Sequence, residues 1–468
     1  MSSLGAVGAD AAALGRSEAE RAVSSAMIAA RLERLPMTGY QRGIFAIIAT
    51  AWFFDSIDLG SLTFLLGSIK KEFNLSPGDA GILSSMSFAG MFLGAALSGM
   101  LADRFGRKIV FQVSMIFWGL GSLACAYAPD ATMLGYARLL LGFGMGMEFP
   151  VALAIVSEFV PAANRGRYAA IMEGFWPLGF IAAGCLSLVL LGSYGWRSVF
   201  IAQAIPALFL FVVRFFVPES PRWLADQGRA AEANAVMAEI ERNVSARLGA
   251  PLPEPRPLAV TAQGARRFSF LELWSKGYAS RTVMIWLTWF FALLGFYGLT
   301  TWLGALLQQQ GYSVAKSVEY TILISLAGIP GFITSAWLVE YWGRKPTAVL
   351  MLLGSAIAAY LYGNAPSFNW LIGFGLVMQF FLFGMWSVLY AYTPELYPTR
   401  ARATGAGCAS AVGRIGSLIG PALIGVILPT MGQSGVFALG AGSFALAALA
   451  VAVLGVETRG KALEEISG

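Results

Sequence analysis

Two aspartates three residues apart, Asp55 and Asp58, lie inside an apolar stretch, WFFDSIDLG, where charge is expensive. A charged side chain at the centre of a bilayer costs about 2.5–3.5 kcal/mol on insertion scales, so its presence there points to proton, ion or substrate chemistry. At i and i+3 on a helix two carboxylates share a face. Desolvation and mutual repulsion then make such a pair hold a proton more tightly than either acid would in water. The chain contains no histidine, which leaves carboxylates as the proton carriers. The other reading of either Asp is a partner for Arg138, and a salt bridge that opens on protonation would serve both roles. Glu148, ten residues after Arg138, is a relay acid or an internal counter-ion; Gly142, Gly144 and Gly146 around it permit close helix approach.

Two further positions read as binding residues. Glu173 is followed three residues later by Trp176, so a carboxylate and an indole project from one helix face, as a pocket wall would require. Arg414, in GRIGSLIGP, is the deep formal charge of the second half of the chain, whereas Asp55, Asp58, Glu148 and Glu173 all belong to the first. An unpaired buried guanidinium is costly. Either one of the four acids answers it across the halves, or a substrate carboxylate does, and the planar fork of arginine suits a bidentate carboxylate. Trp386 and Tyr390, at i and i+4, together with Trp176 and Tyr297, offer flat rings against which a flat substrate would stack. The same rings, among 33 Phe, 15 Tyr and 13 Trp, could equally be ordinary packing.

These charges must be carried by membrane-spanning elements. Of the 468 residues 57% are hydrophobic and 12% charged, against roughly 25% charged in an average soluble domain. Apolar windows of about 20 residues, each long enough for a bilayer core of about 30 Å, predict twelve helices: 43–67, 79–101, 109–128, 132–158, 167–191, 197–217, 281–307, 317–340, 346–364, 369–396, 402–425 and 434–456. The fold class expected is therefore an all-α membrane protein of two pseudo-symmetric six-helix bundles. The expected organisation is a tail (1–42), a bundle (43–217), a linker (218–280), a second bundle (281–456) and a tail (457–468). Basic residues are retained in cytoplasmic loops. With both termini cytoplasmic, the outer loops hold only Lys70, Lys71, Arg197 and Lys316, and the membrane only Arg138, Arg214 and Arg414. The net charge of +6 reflects that topology and gives no reason to expect nucleic acid as a partner.

The Ala-rich start lacks the pattern of a cleavable signal peptide. The linker is Arg-rich and Pro-rich, with helical composition over 225–247. Cys125, Cys185 and Cys408 lie in apolar helices with no metal-site or disulfide spacing and read as packing residues. No metal and no cofactor are expected.

The polar turns repeat. DRFGRK (Asp103 to Lys108) returns as EYWGRK (Glu340 to Lys345), and the same offset aligns Glu158 with Glu395 and Arg165 with Arg402. Parallel duplication of this kind builds a substrate site between two halves in many secondary transporters. Asp103, Arg104, Arg107, Glu158 and Arg165, with their counterparts Glu340, Arg344, Glu395 and Arg402, mark topology at helix ends and are not expected to bind ligand; gating is the role that the family resemblance given below implies for them.

DRFGRK, RLLLGFGMGMEFP, PESPRWL, PELYPTRARATG and VETRGKALEE together resemble the major facilitator superfamily over roughly residues 40–465. WFFDSIDLG, MEGFWPLG, WSVLYAYTPELYPTRARATG and GRIGSLIGP are similar to its bacterial niacin transporter branch, akin to aromatic-acid:proton symporters and to synaptic vesicle glycoprotein 2. Ser56 departs from the Asp-Gly-x-Asp of the aromatic-acid symporters, and WLTWFFALLGFYGLTTWL lacks the glutamines of sugar porters, which weighs against a sugar. The resemblance implies that the basic turns and Glu158 and Glu395 latch the halves together in an outward-open state. It also implies that the helices carrying Trp176, Tyr297, Trp386 and Tyr390 line a central cavity. The expected protein is no enzyme but a monomeric transporter in a bacterial inner membrane, importing a small anionic aromatic acid, nicotinate first, with protons. A hydroxybenzoate-type acid, or a transporter-like receptor that binds without flux, is the alternative. Organic-cation export is opposed by Arg414.

Overall fold

The computed structural model describes residues 23–161, 164–255, 273–275, 277–397 and 402–459, and among these there is no strand. A short helix α1 (23–33) precedes the spans. The first bundle comprises α2 (Gly39–Glu72), α3 (Pro77–Phe105), α4 (Arg107–Ala126), α5 (Ala131–Phe159), α6 (Arg165–Tyr194), and α7 (Trp196–Ala204) with α8 (Leu210–Phe216). A 3-10 turn, Ile205–Phe209, starting at Pro206, joins α7 to α8, because proline cannot continue the α-helical ladder. Two polar helices, α9 (Pro221–Asp226) and α10 (Ala230–Leu248), follow. The second bundle comprises α11 (Ala279–Gln309), α12 (Val314–Leu326), α13 (Gly328–Tyr341), α14 (Arg344–Gly363), α15 (Phe368–Glu395) and α16 (Arg402–Leu454). Eleven described segments are long and apolar enough to cross a membrane. The expected spans 402–425 and 434–456 are one helical run in α16, which breaks at Gly432, where φ of 63° and ψ of −167° are non-helical. The expected helix over 225–247 begins later, because Gly228 adopts positive φ between α9 and α10.

Side chains too small to hold helices apart set the packing. Gly142 of α5 abuts the backbone of Ser87 on α3, and Gly146 abuts that of Met91; Gly144, on another face, meets α4 at Trp118 and Ser114. In the second bundle Gly416 and Gly420 lie against the α11 backbone at Phe290 and Leu294. Such contacts let helices approach closely enough for van der Waals packing to hold them in lipid. The outward faces carry exposed Phe215, Phe216, Val426 and Val453, as a surface solvated by hydrocarbon requires.

The repeated turns share one chemistry. Gly106 (φ 100°) and Gly343 (φ 111°) reverse the chain in backbone regions that side chains avoid. Immediately after each, a carboxylate caps the new helix. Glu219 accepts hydrogen bonds from the Arg107 and Lys108 amides at 3.0 and 3.2 Å, and Glu457 accepts those of Arg344 and Lys345, both at 3.0 Å. Anions belong at helix N-termini, where unpaired amides and the helix dipole both favour them. These turns lie at what is called here the basic end of the bundle.

At that end α1 docks on α10. Ile28, Leu32 and Leu35 are buried, as are Met237, Ile240 and Val244. Arg31 donates to Glu241 through Nε and Nη2 at 2.9 and 2.6 Å, and Arg34 adds a third bond at 2.6 Å. Glu33 receives Arg165 at 2.5 Å and Arg222 at 2.7 Å, so one carboxylate ties α1 to the start of α6 and to α9. Burial pushes the Glu33 carboxyl upward, but the two guanidiniums outweigh it and hold it below its ordinary value of 4.5. A depressed folded-state value means that Glu33 contributes its full stabilisation above pH 4.5 and loses it as pH falls through the lower value. The protection factors of α1 amides, corrected for the pH dependence of intrinsic exchange, should fall on acidification below that range in the parent, whereas in Glu33→Gln they should be low already at neutral pH. Equal protection of α1 in both proteins at pH 7 would show that the clamp holds nothing.

Candidate functional site

Helix α16 illustrates how sequence aims a charge. Gly413, Gly416 and Gly420 occupy the face packed on α11, and Ile415 and Ile419 are exposed on the outer face. The remaining stripe, Ser410, Arg414 and Ser417 at i, i+4 and i+7, is left to line the interface between the two bundles. Opposite it, α2 contributes Trp52, Asp55 and Leu59, and α6 contributes Glu173, Trp176 and Pro177. Trp289 and Tyr297 of α11 and Phe383, Trp386 and Tyr390 of α15 close the ring.

The chamber so formed has a volume of about 50 Å³, room for a few waters. It opens into a vestibule of about 1390 Å³ whose mouth carries Asp103, Arg167, Glu340, Arg344 and Glu395, all at the basic end. Phe149, Glu173, Trp289, Phe332, Tyr390, Ser410 and Arg414 line both spaces and mark the junction. At the other end the bundles touch. A methyl group added at Gly81 of α3 would lie 2.7 Å from the Pro421 carbonyl of α16, and one at Gly304 of α11 would lie 2.5 Å from the Thr63 carbonyl of α2. Access is therefore one-sided.

Arg414 makes no ion pair among the described residues, although it lines the same chamber as Asp55, Tyr297 and Tyr390. Asp55 is 3% exposed and Glu173 is 7% exposed, and each keeps one carboxylate oxygen without a hydrogen-bond partner among the described residues. Trp386 and Tyr390 stack at 5.8 Å and 23°, Trp176 approaches Trp386 at 6.1 Å, and Tyr297 packs edge-on to both tryptophan rings. Trp289, donating to Thr393 Oγ1 at 2.9 Å, stands perpendicular to Tyr390.

The two aspartates do not form a single site. Asp55 lines the chamber, whereas Asp58 turns to α4 and accepts a hydrogen bond from Ser122 at 2.7 Å. An i to i+3 step rotates a side chain by about 60°, enough to pass from the interface between bundles to the interior of one. Arg138 is fully buried, with Nε and Nη1 unpartnered among the described residues, and meets neither Asp at ion-pair distance; its guanidinium lies 5.9 Å from the Phe200 ring. Glu148 accepts from Trp118 Nε1 at 2.9 Å inside the first bundle, away from the chamber wall. Ser56, the departure noted in the sequence, donates to the Trp52 carbonyl at 2.8 Å and nests against Gly179 of α6.

At the basic end the charges pair within each bundle. Arg107 meets Asp103 and Glu158 at 3.3 and 3.4 Å, and Arg344 meets Glu340 and Glu395 at 3.1 and 2.9 Å. Arg104 lies over Phe105, and Arg165 is committed to Glu33. The Arg402 side chain falls outside the described residues, as does the second half (256–260) of the Pro-rich stretch 251–260. Cys125 is buried as expected, but Cys185 is exposed on the outer face of α6 and is no packing residue. Sequence reasoning passed over Trp52, Trp289, Ser410 and Ser417. The polar i, i+4, i+7 stripe through Arg414 was the signal that would have found the two serines.

The family described as "Sugar (and other) transporter" matches residues 44–468. The chain is 40% identical to the niacin transporter NiaP of Acinetobacter baylyi, over 94% of this chain and 99% of that protein. It is 27% identical to a synaptic vesicle 2-related protein of Xenopus laevis, over 94% of this chain and 83% of that one. Among solved structures, the partially occluded inward-open xylose transporter XylE of Escherichia coli superposes with a TM-score of 0.71 at 18% identity, covering 88% of this chain and 98% of that one.

The one-sided opening is testable by labelling. In a cysteine-free background, Ser410→Cys should react with an impermeant maleimide from the basic face. Adding Gly304→Trp, which drives an indole into the Thr63 backbone, should prevent closure of the far end and slow that labelling several-fold. Unchanged labelling would show that the Gly304 contact is not the seal.

Proposed function

The chain belongs to the sugar (and other) transporter family of the major facilitator superfamily, and from that membership we propose that it imports nicotinate together with protons by alternating access. The single observation that carries the reading is the unpaired Arg414 at the junction of chamber and vestibule, ringed by aromatic side chains. A flat carboxylate answers both features. Its two oxygens meet the guanidinium fork, and its ring lies among Trp289, Trp386 and Tyr390. The 40% identity to a niacin transporter over nearly the whole length of both chains supports nicotinate ahead of other aromatic acids.

In this reading the basic end is cytoplasmic, following the retention of Lys and Arg on that side, and the structure corresponds to an inward-open state. The pairing of Arg107 and Arg344 within their own bundles fits that state, since neither is engaged across the interface. In the outward-open state these guanidiniums would reach the acids of the other bundle. Protonation of Asp55 removes a negative charge that would repel the incoming anion; Asp58, Arg138 and Glu148, held inside the first bundle, connect that event to helix packing. The cargo then neutralises Arg414, and the two bundles rock about it.

Truncating one partner of a buried charge pair costs about 2–5 kcal/mol, so Arg414→Ala should weaken nicotinate binding roughly 30-fold or more. Uptake of labelled nicotinate should be abolished in that variant and should collapse on adding a protonophore to the parent. Competition by nicotinate, but not by nicotinamide, identifies the carboxylate as the recognised group. Stronger competition by 4-hydroxybenzoate would reassign the cargo, and binding without flux in proteoliposomes would make the protein a receptor. Normal accumulation in both Arg414→Ala and protonophore-treated vesicles would remove the mechanism.

A further inference from the structure

We propose that Glu173 reads the ring nitrogen of the cargo, sharing one proton with it while Arg414 holds the carboxylate at the other edge of the ring. The assignment rests on the reading of this chamber as an aromatic-acid site. Glu173 and Arg414 line the same chamber and the same junction, yet no ion pair joins them. Glu173 is more than nine-tenths buried, and its Oε1 has no hydrogen-bond partner among the described residues. An acid and a guanidinium that face one cavity and leave each other unpaired are complementary to a guest with two poles.

A pyridine carboxylate has those poles, and a benzene carboxylate has only one. The lone pair of a pyridine nitrogen lies in the ring plane, the direction along which a carboxyl O–H donates. If the ring instead carries the proton, its N–H donates to the carboxylate. Both descriptions place one proton between Glu173 and the nitrogen and leave the same total charge. Against benzoate the Glu173 oxygen would face a C–H edge and stay unsatisfied. Sites built to hydrogen-bond a polar group reject analogues lacking it far more strongly than apolar pockets discriminate by size. The surroundings suit this division of labour. Trp176, one turn along α6, carries the stacking face, and Asp55, on the α2 wall, stays separate as an acid not needed by the ring. Tyr297 and Tyr390 are the remaining titratable groups facing Glu173, and Arg414 is the cation.

Equilibrium dialysis of purified full-length protein against labelled nicotinate, isonicotinate and benzoate tests the assignment. The parent should bind nicotinate at least about tenfold more tightly than benzoate, the low end of the penalty for leaving a buried polar group unpaired. Glu173→Gln, whose amide N–H still donates, should keep most of that preference. Glu173→Leu should reduce nicotinate to the affinity of benzoate while leaving benzoate itself within about threefold of the parent. Isonicotinate, with its nitrogen displaced around the ring, should fall between the two in the parent and lose that advantage in Glu173→Leu. Equal weakening of nicotinate and benzoate in Glu173→Leu, or no discrimination by the parent, overturns the role of Glu173 and leaves carriage of an aromatic acid intact. Failure of the parent to bind any of the three acids overturns both.

Discussion

A guanidinium placed in a low-dielectric interface without a protein partner governs this molecule. Arg414 is there because three glycines take the α11 face of its helix and two isoleucines take the outer face, leaving one stripe for polar side chains. Arg414 is half-buried, and a cation in such an interface gives up part of its solvation unless an anion answers it. The acids that might do so are held elsewhere: Asp58 by Ser122, Glu148 by Trp118, and Asp55 and Glu173 on the opposite walls of the chamber at more than ion-pair distance. Under the proposed reading, a negatively charged guest between the bundles would supply the missing partner. Binding energy of that origin is available only when the guest is between the bundles, which links occupancy to their relative position.

Duplication gives the two bundles equivalent turns at the basic end. Each bundle ends in a glycine turn, a carboxylate capping the next helix and an arginine bonded to an acid of its own half, with Glu219 and Glu457, and Glu158 and Glu395, in equivalent places. Each turn is self-sufficient when the basic end is open. At the far end the contact is backbone against glycine, through Gly81 and Gly304, with no charge pair needed to hold it. The far end is thus sealed by fit, whereas under the proposed cycle the basic end would close through its charges.

Much of the architecture was legible because hydrocarbon imposes it. Apolar windows, loop charges and repeated turns led to a doubled bundle of membrane helices, the motifs added the resemblance to the major facilitator superfamily, and the family match over 44–468 agrees. Departures came where a single residue acts on the backbone: Pro206 inserting a 3-10 turn, Gly228 splitting the linker helices, and Gly432 breaking one long helical run where two spans were expected. The site was legible by residue type but not by partner. Spacing predicted a shared face for Asp55 and Asp58, yet α2 packs against helices of both bundles and so has more than one buried face, and the two diverge. Trp289 and Trp52 were hidden among many aromatics of the same composition. Glu219 and Glu457 lay in recognised motifs, but their capping role depends on chain reversals that bring residues more than a hundred positions apart into contact.

The central claim is that a substrate carboxylate completes Arg414. Calorimetric titration of the purified parent and of Arg414→Gln with nicotinate and with nicotinamide addresses it directly, since the two ligands share a ring and differ in the charged group. The account predicts heat of binding only for nicotinate in the parent, and none for either ligand in Arg414→Gln. Undiminished nicotinate binding to Arg414→Gln, or equal binding of both ligands to the parent, would contradict it.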